Sequence, residues 1–257
     1  MSIVLSNVSS GYEGFSLKSI GLTIQTGSYA ALIGPNGCGK STLLKTIGQI
    51  NKLKSGCITV DGEDVHRLPA KTVARKIAFL PQSPVVPTGI SVEQLVGYGR
   101  APHQSLLGIR SRQDVEIVQD ALHTSGLDAF KDRALKDLSG GQRQRAFIAM
   151  CLAQDTPYIM LDEPTSYLDI RYQYETLDLL QKLNEEGRTV VVVLHDIAQA
   201  SRYADHLVVM RDGGIYAEGG PNEIVSPSLV HAVYDIKTSV YADPVSSTPV
   251  VTPLRAG

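Results

Sequence analysis

The sequence has little of several features that would place a protein in a specialised class. Its 257 residues include three widely spaced cysteines without a C-x-x-C pair, so neither a disulfide framework nor a zinc site is predicted. Lys and Arg number 24 against 26 Asp and Glu, and the net charge of −2 excludes a strongly basic nucleic-acid binder. No run approaches the roughly 20 apolar residues that span a bilayer, and the first residues lack a signal-peptide pattern. We therefore expect a soluble, cytosolic protein with no nucleic-acid partner.

Short apolar runs rich in β-branched residues alternate with helical patterns. The runs at residues 2–7, 22–25, 29–33, 57–60, 77–80, 158–161, 189–194 and 207–210 predict strands. The runs at 158–161 and 189–194 are apolar at every position, as in parallel strands that are covered on both faces. The early runs are more polar, and they favour an antiparallel portion near the N-terminus.

Helical periodicity replaces the strand pattern between Gln82 and Asp155. The best-marked helix spans 111–126: Ser111 and Asp114 form a predicted capping box, and Val115, Val118 and Leu122 form the predicted buried stripe. A second amphipathic helix is predicted at 170–187, and its buried stripe would be Ile170, Tyr174, Leu177 and Leu180.

These patterns predict one α/β domain over residues 1–242. Its core, 1–82 with 156–242, would be a mostly parallel sheet with helices on both faces and an N-terminal antiparallel portion. A helical subdomain would be inserted at about 83–155. Residues 243–257 carry three prolines between 244 and 253 and predict an extended C-terminal tail.

A glycine-rich loop follows the strand predicted at 29–33 and opens a helical stretch at 40–47. Its residues, Gly34, Pro35, Asn36, Gly37, Cys38, Gly39, Lys40 and Ser41, fit G-x-x-x-x-G-K-[ST], and Thr42 follows them. The backbone N–H groups would bind phosphate oxygens, Lys40 would reach the β- and γ-phosphates, and Ser41 would ligate Mg²⁺. A plain glycine-rich turn is the alternative, whereas the glycine order excludes a Rossmann loop. Cys38 occupies a variable position of the loop, where a redox role is a further alternative.

Two carboxylates end the apolar run at 158–161. Asp162 and Glu163 would lie at the carboxyl end of a buried strand, where a parallel sheet presents its ligands. Asp162 is a candidate for the Mg²⁺ shell, and Glu163 is a candidate base for an attacking water. A strand-end cap and a solvated turn residue are the alternatives for these two positions.

The run Leu138-Ser-Gly-Gly-Gln142 is where the sequence resembles the ATP-binding cassette (ABC) family. From the residues alone, Ser139 and Gln142 predict a capping box on a helix to about residue 154, and a helix N-terminus is also an anion site. The resemblance implies that Ser139, Gly140, Gly141 and Gln142 contact the nucleotide held by the phosphate loop of a second copy. It therefore implies a homodimer with two ATP molecules between the copies.

Four further residues match motifs of the family in order along the chain. Tyr12 resembles the aromatic residue that stacks on adenine, and Gln82 resembles the loop glutamine that touches Mg²⁺ and water. Asp169 resembles the carboxylate that crosses the dimer, although it could be only a helix N-cap. His195 resembles the switch histidine at the γ-phosphate. The implied reaction is phosphoryl transfer from ATP to water, with Glu163 as base, Lys40 and Mg²⁺ offsetting charge, and Gln82 and His195 ordering the reactants.

Residues outside the shared motifs resemble the ATPase subunits of importers for ferric siderophores, haem and vitamin B12. They are residues 77–82, 99–103 and 166–170, Tyr174 with Glu175, and parts of the C-terminal segment. Tyr172 and Gly214 depart from that pattern at positions that we expect to face solvent. The resemblance implies attachment to the cytoplasmic face of the membrane, where residues from Gln82 to about Arg112 would receive a separate permease. An external binding protein would deliver the substrate. A soluble ATPase subunit of an iron–sulfur assembly scaffold is the main alternative, and a DNA-linked ATPase is a more distant one.

Overall fold

A computed structural model describes residues 1–86, 88–104 and 110–255. They form two compact units, one of Met1–Leu68 with Thr189–Gly257 and one of Pro69–Arg188. The second unit includes stretches on both sides of the predicted helical subdomain, so these boundaries differ from the predicted ones. Within the expected permease surface, Pro87 and residues 105–109 lie outside the described residues, as do the last two residues of the predicted tail.

The described residues contain all eight predicted strands, several of which are longer than expected. The strands are β1 (Ser2–Tyr12), β2 (Phe15–Ser16), β3 (Ile20–Gln25), β4 (Tyr29–Ile33), β5 (Leu53–Val60), β6 (Glu63–Asp64), β7 (Ile77–Leu80), β8 (Tyr158–Asp162), β9 (Thr189–Val193), β10 (His206–Arg211), β11 (Gly214–Gly219), β12 (Thr238–Ala242) and β13 (Pro249–Pro253). The helices are α1 (Lys40–Ile47), α2 (Ala70–Val73), α3 (Val92–Tyr98), α4 (Arg112–Thr124), α5 (Gly140–Ala153), α6 (Ile170–Glu185), α7 (Ile197–Tyr203), α8 (Pro221–Ile224) and α9 (Pro227–Tyr234).

The first unit contains an antiparallel sheet and a set of parallel strands. β1 pairs antiparallel with β2, β3 and β5, and β5 pairs with β6, which confirms the predicted N-terminal antiparallel portion. β4 pairs in parallel with both β9 and β10, and every residue of β4 and β9 is buried. Burial on both faces explains why these two strands lack an alternating polar pattern.

The second unit combines a parallel strand pair with three packed helices. β7 pairs in parallel with β8, and α3, α4 and α5 pack against one another. A serine directly precedes each of these helices as its N-cap. The serine side chain accepts a hydrogen bond from the N–H of the third helical residue, and the side chain of that residue accepts one from the serine N–H. The capping boxes predicted at Ser111 and Ser139 are therefore confirmed.

The predicted buried stripes of α4 and α6 are wrong at their N-terminal ends. Val115 is 48% exposed because the first turn of α4 instead buries Asp114, and the buried face continues through Val118 and Leu122. Ile170 is 73% exposed because it is the first residue of α6, ahead of the turns that pack. Tyr174 is only half-buried, whereas Leu177 and Leu180 are buried as predicted.

The C-terminal segment is not the extended tail that its prolines predict. β13 pairs antiparallel with β12 across five residue pairs, and it also contacts α7. The Asp243 carboxylate accepts hydrogen bonds from the N–H groups of Val245 and Ser246, which forms the turn between the two strands. Pro249 and Pro253 stand at the two ends of β13, where proline is compatible with a strand.

A buried ion pair joins the helices of the second unit. Arg100 Nε lies 2.8 Å from Asp114 Oδ1, and both side chains are less than 10% exposed. Arg100 also donates to the carbonyl of Ala153 at the end of α5. The hydrogen bonds from Arg100 and from the N–H of Ser111 lower the pKa of Asp114 to about 2. The pair thus links the end of α3, the first turn of α4 and the end of α5.

We predict that Asp114→Ala lowers the free energy of unfolding by about 3 kcal/mol, because it leaves the Arg100 charge buried without its acceptor. Since the folded-state pKa is depressed, the pair stabilises the fold fully above the unfolded pKa of about 4, and this contribution is lost as the pH falls towards 2. Urea titrations between pH 7 and pH 3 measure both effects. Asp120→Ala, at an exposed position of α4, is the matched control. A loss for Asp114→Ala no larger than the control's would contradict the prediction.

Candidate functional site

The glycine-rich loop lies between a buried strand and a helix, as the sequence predicts. It leaves β4 after Ile33 and enters α1 at Lys40. Gly34, Gly37 and Gly39 all have positive φ, at 144°, 77° and 110°. A Cβ on Gly39 would lie 2.8 Å from both the Phe15 and the Leu17 side chains, so a larger residue would be excluded there. Such a loop can turn successive N–H groups towards one anion at a helix N-terminus.

Lys40 is held against the loop that precedes it. Its Nζ donates to the carbonyl oxygens of Gly34, at 2.7 Å, and Pro35, at 3.0 Å, and the residue is 5% exposed. The ammonium is therefore confined to the loop where phosphate binding is predicted. Its stem is packed, so little side-chain freedom remains to be lost when an anion binds.

Cys38 has the properties of a packed thiol. It is 3% exposed, its Sγ lies 3.9 Å from Lys40 Nζ, and burial raises the pKa of its thiol although the nearby Lys40 lowers it. A raised pKa reduces the thiolate fraction at neutral pH, which argues against the alternative of a redox role.

Tyr12 is connected to the glycine-rich loop by a second aromatic residue, Phe15, which contacts both of them. It is 64% exposed at the end of β1, and its ring centroid is 5.8 Å from that of Phe15. Phe15 in turn packs against the backbone of Gly39. The sequence reasoning missed Phe15, because only the pairing of β1 with β2 brings it under the loop. An exposed ring at this place can stack on a flat base.

His195 follows the strand next to the one that carries the loop. β4 and β9 pair in parallel with Leu32 opposite Val193, and the Leu194 N–H donates to the Leu32 carbonyl. His195 and Gly34 therefore emerge at the same edge of the strands, and His195 is exposed. Directly after it, the Asp196 side chain caps α7 by accepting hydrogen bonds from the N–H groups of Ala198 and Gln199.

In the second unit, β7 and β8 bring Gln82 and Glu163 together. Gln82 Nε2 donates to Glu163 Oε2 at 2.6 Å, and Ser166 Oγ donates to the same oxygen at 3.0 Å. Glu163 has a φ of 55°, in the left-handed region that few non-glycine residues adopt. Its neighbour Asp162 is 1% exposed at the end of β8. The contribution of Ser166 was not predicted, because only the turn after Glu163 brings the hydroxyl to the carboxylate.

The segment from Ser139 to Gln142 forms the N-terminus of α5. The Gln142 N–H donates to Ser139 Oγ, and the Ser139 N–H donates to Gln142 Oε1. The predicted capping box is therefore present at this helix N-terminus. Gly140 is exposed with open space at its Cβ position, and it lines a cavity of about 390 Å³ with Gln82, Ser166 and residues of α5. The first turn of α5 therefore lines the same cavity as Gln82 and Ser166, the two residues that hydrogen-bond to Glu163.

Asp169 and Tyr172 connect the start of α6 with α5. Asp169 is the N-cap of α6, and its Oδ1 accepts from the Tyr172 N–H at 3.1 Å, so the capping alternative is also observed. The expectation that Tyr172 faces solvent is wrong, because its ring lies against Gly141 and is only partly exposed. Gly214 is also only partly exposed.

The predicted metal ligands fit a hard cation by their chemistry. Ser41 offers a hydroxyl, Asp162 a carboxylate, and Gln82 an amide whose nitrogen already donates to Glu163. Oxygen donors of this kind suit Mg²⁺, which is usually bound through one or two protein groups together with substrate phosphates. The described residues contain no group of three His, Cys, Asp or Glu that could hold a metal ion by themselves, as a zinc site would require.

Comparison with known proteins relates this architecture to one family. A model described as "ABC transporter" matches residues 17–166. The chain is 47% identical over 252 residues to the probable siderophore transport system ATP-binding protein YusV of Bacillus subtilis strain 168, covering 97% of this chain and 92% of that protein. It is 44% identical over 246 residues to the ferric enterobactin transport ATP-binding protein FepC of Escherichia coli K12, covering 95% and 91%.

The fold is also that of solved ABC cassettes. A dimeric post-hydrolysis structure of the ATP-binding cassette MJ0796 bound to ADP and Pi superposes with a TM-score of 0.74 at 31% identity, covering 85% of this chain and 98% of that one. No helix among the described residues is both long enough and apolar enough to cross a membrane. The family model and these relatives, which match along almost the whole chain, show that the chain belongs to the ABC transporter family and is an ATP-binding ATPase.

Proposed function

We propose that this chain is the ATP-hydrolysing subunit of an importer for ferric siderophores, and that Glu163 is its general base. The hydrolytic role is supported by the position of the Glu163 carboxylate, which directly follows β8, the strand that pairs with β7. One oxygen of this carboxylate accepts hydrogen bonds from both Gln82 and Ser166. The transport role is supported by relatives that match over more than nine-tenths of their own length.

Glu163 would take a proton from the attacking water. Two donors on Oε2 hold the carboxylate in one orientation. A base that is already oriented does not lose rotational freedom during the reaction. Gln82 would order the water beside Glu163, and His195 would contact the γ-phosphate.

The nucleotide would bind through the loop from Gly34 to Thr42 and through Tyr12. Tyr12 would stack on the adenine, the loop N–H groups would surround the phosphates, and Lys40 would move from the loop carbonyls to the β- and γ-phosphates. Ser41, Asp162 and Gln82 would hold Mg²⁺. When bound, that ion would offset the charge that develops on the phosphate oxygens.

The complete ATP site would need two copies of the chain. Ser139, Gly140, Gly141 and Gln142 lie at a helix N-terminus, and Asp169 caps the neighbouring helix. We propose that this group contacts the nucleotide held by the phosphate loop of the other copy. The dimeric state of the related cassette MJ0796 supports this arrangement.

The substrate would be a ferric siderophore that crosses the membrane through a separate permease. The chain would bind that permease at the cytoplasmic face of the membrane, with an external binding protein delivering the substrate. The names of the two relatives favour siderophores over haem or cobalamin. The alternative of an iron–sulfur scaffold subunit is not favoured, because these relatives serve transport.

We predict that Glu163→Gln retains ATP binding and lowers steady-state hydrolysis by about 10²- to 10⁴-fold, because an amide accepts no proton from water. Phosphate release measures hydrolysis, and a fluorescent ATP analogue measures binding. Glu116→Gln makes the same chemical change on an exposed residue of α4 and should leave both unchanged. Near-normal hydrolysis by Glu163→Gln would remove Glu163 from the role of base.

We also predict that a tagged Glu163→Gln variant, purified with ATP from gently solubilised membranes, brings a polytopic permease with it. Mass spectrometry of the purified complex identifies the permease. The binding protein that belongs with it can then be titrated with ferric siderophores, haem and cobalamin, and it should prefer the siderophores. Recovery from the soluble fraction with iron–sulfur scaffold proteins would contradict the transport role while leaving the ATPase activity in place.

A further inference from the structure

The ring of Tyr172 covers Gly141, a residue of the helix N-terminus that is proposed to meet the nucleotide of the second copy. A Cβ on Gly141 would lie 2.6 Å from Tyr172 Cδ1, 2.8 Å from Cδ2 and still closer to Cγ. Gly141 is buried, whereas the adjacent Gly140 is exposed with open space around it. The ring is therefore in direct contact with the backbone of one glycine of the pair and not with the other.

Neighbouring groups hold the tyrosine in this place. The N–H of Tyr172 donates to Asp169 Oδ1, so the first turn of α6 fixes its backbone. The guanidinium of Arg145 on α5 lies 5.3 Å from the ring centroid, within the range of a cation–π contact. Arg145 also pairs with Glu175 of α6, and Glu175 accepts from Arg171 Nε at 2.7 Å. The ring is thus enclosed between Gly141 and a charged group of the same two helices.

We propose that Tyr172 is a positioning residue that fixes the first turn of α5 for the nucleotide of the second copy, and that its ring is the reason residue 141 must be glycine. This inference rests on the proposed two-copy ATP site. Tyr172 touches no reacting atom. It acts through the backbone of Gly141, and its own N–H holds Asp169, the other group proposed to cross the dimer.

The physical effect of the ring is to limit movement. Helix N-terminal N–H groups bind an anion strongly only when they stay in the position that the anion requires. With the ring in place, the first turn of α5 cannot shift towards α6, because the contact with Gly141 is already tight. Removal of the ring leaves a space beside Gly141 and lets this turn adopt several positions.

The test measures ATP-dependent dimerisation in chains that carry Glu163→Gln, which keeps ATP from being consumed. Sedimentation velocity across a range of ATP concentrations gives the concentration for half-maximal dimer. Tyr172→Ala should raise that concentration at least about fivefold, while binding of the ATP analogue to the monomer stays unchanged. Tyr172→Phe keeps the ring and should behave as Glu163→Gln alone. A circular dichroism spectrum shows whether each variant is folded.

A double-mutant cycle separates positioning from a general loss of stability. Gly141→Ala alone should impair dimerisation, because its methyl group enters the space of the Tyr172 ring. When Tyr172→Ala is added, the methyl occupies the vacated space, so the double variant should dimerise better than Gly141→Ala alone. A purely destabilising role would instead make the double variant worse than either single change.

The outcomes distinguish this inference from the function on which it rests. If Glu163→Gln alone fails to dimerise with ATP, the two-copy site is wrong and the role of Tyr172 falls with it. If Glu163→Gln dimerises and Tyr172→Ala dimerises equally well, only the inference about Tyr172 is overturned. The same holds if Gly141→Ala and Tyr172→Ala impair dimerisation additively. Impairment by Tyr172→Ala with relief in the double variant supports it.

Discussion

Parallel pairing of buried strands is the constraint on which the candidate site depends. A parallel pair brings the two carboxyl ends to the same edge, so the segments that follow them emerge side by side. The pairing of β4 with β9 places the glycine-rich loop and His195 at one edge of these two strands. The pairing of β7 with β8 likewise places Gln82 and Glu163 at one edge of their pair. Every residue of β4, β8 and β9 is buried, and packing on both faces of these three strands holds their carboxyl ends in place.

The local chemistry of the site is built by short turns rather than by the strands themselves. Glu163 adopts a left-handed backbone conformation, which costs of the order of 1 kcal/mol or more in a non-glycine residue. That conformation lets Ser166, three residues later, donate to the same carboxylate oxygen as Gln82. Capping has a comparable role at α5 and α6, where Ser139 and Asp169 fix the first helical turns.

The sequence alone predicted those features that depend on local patterns. The strand, loop and helix around Lys40 and the capping boxes at Ser111 and Ser139 are properties of a few neighbouring residues, and the structure confirms them. The sequence analysis missed several strands, including β11 to β13. These strands form because they pair with neighbouring strands, and the strand propensity of their own residues does not reveal that pairing. Pro249 and Pro253 in particular disfavoured a strand in the sequence analysis. The strand β13 can form because both prolines lie at its ends.

Other features depended on partners distant in sequence. The exposure of Val115 follows from the pairing of Asp114 with Arg100, and the partial burial of Tyr172 follows from the contact of its ring with Gly141. Neither contact has a signature in the sequence of the helix concerned. Both errors arose where a polar or aromatic side chain, rather than an aliphatic one, occupies the contact between helices.

Two copies of the chain are proposed to share each ATP site, and mixing two inactive variants tests this sharing. Lys40→Ala removes the ammonium that is proposed to bind the phosphates, whereas Gly140→Asp adds a repelling carboxylate at a position with open space for it. Neither variant alone should hydrolyse ATP, but a mixed dimer contains one intact pair of phosphate loop and α5 N-terminus. Mixing the two variants should therefore restore measurable phosphate release. If either variant is active alone, or the mixture stays inactive while mixed dimers form, the shared site is contradicted.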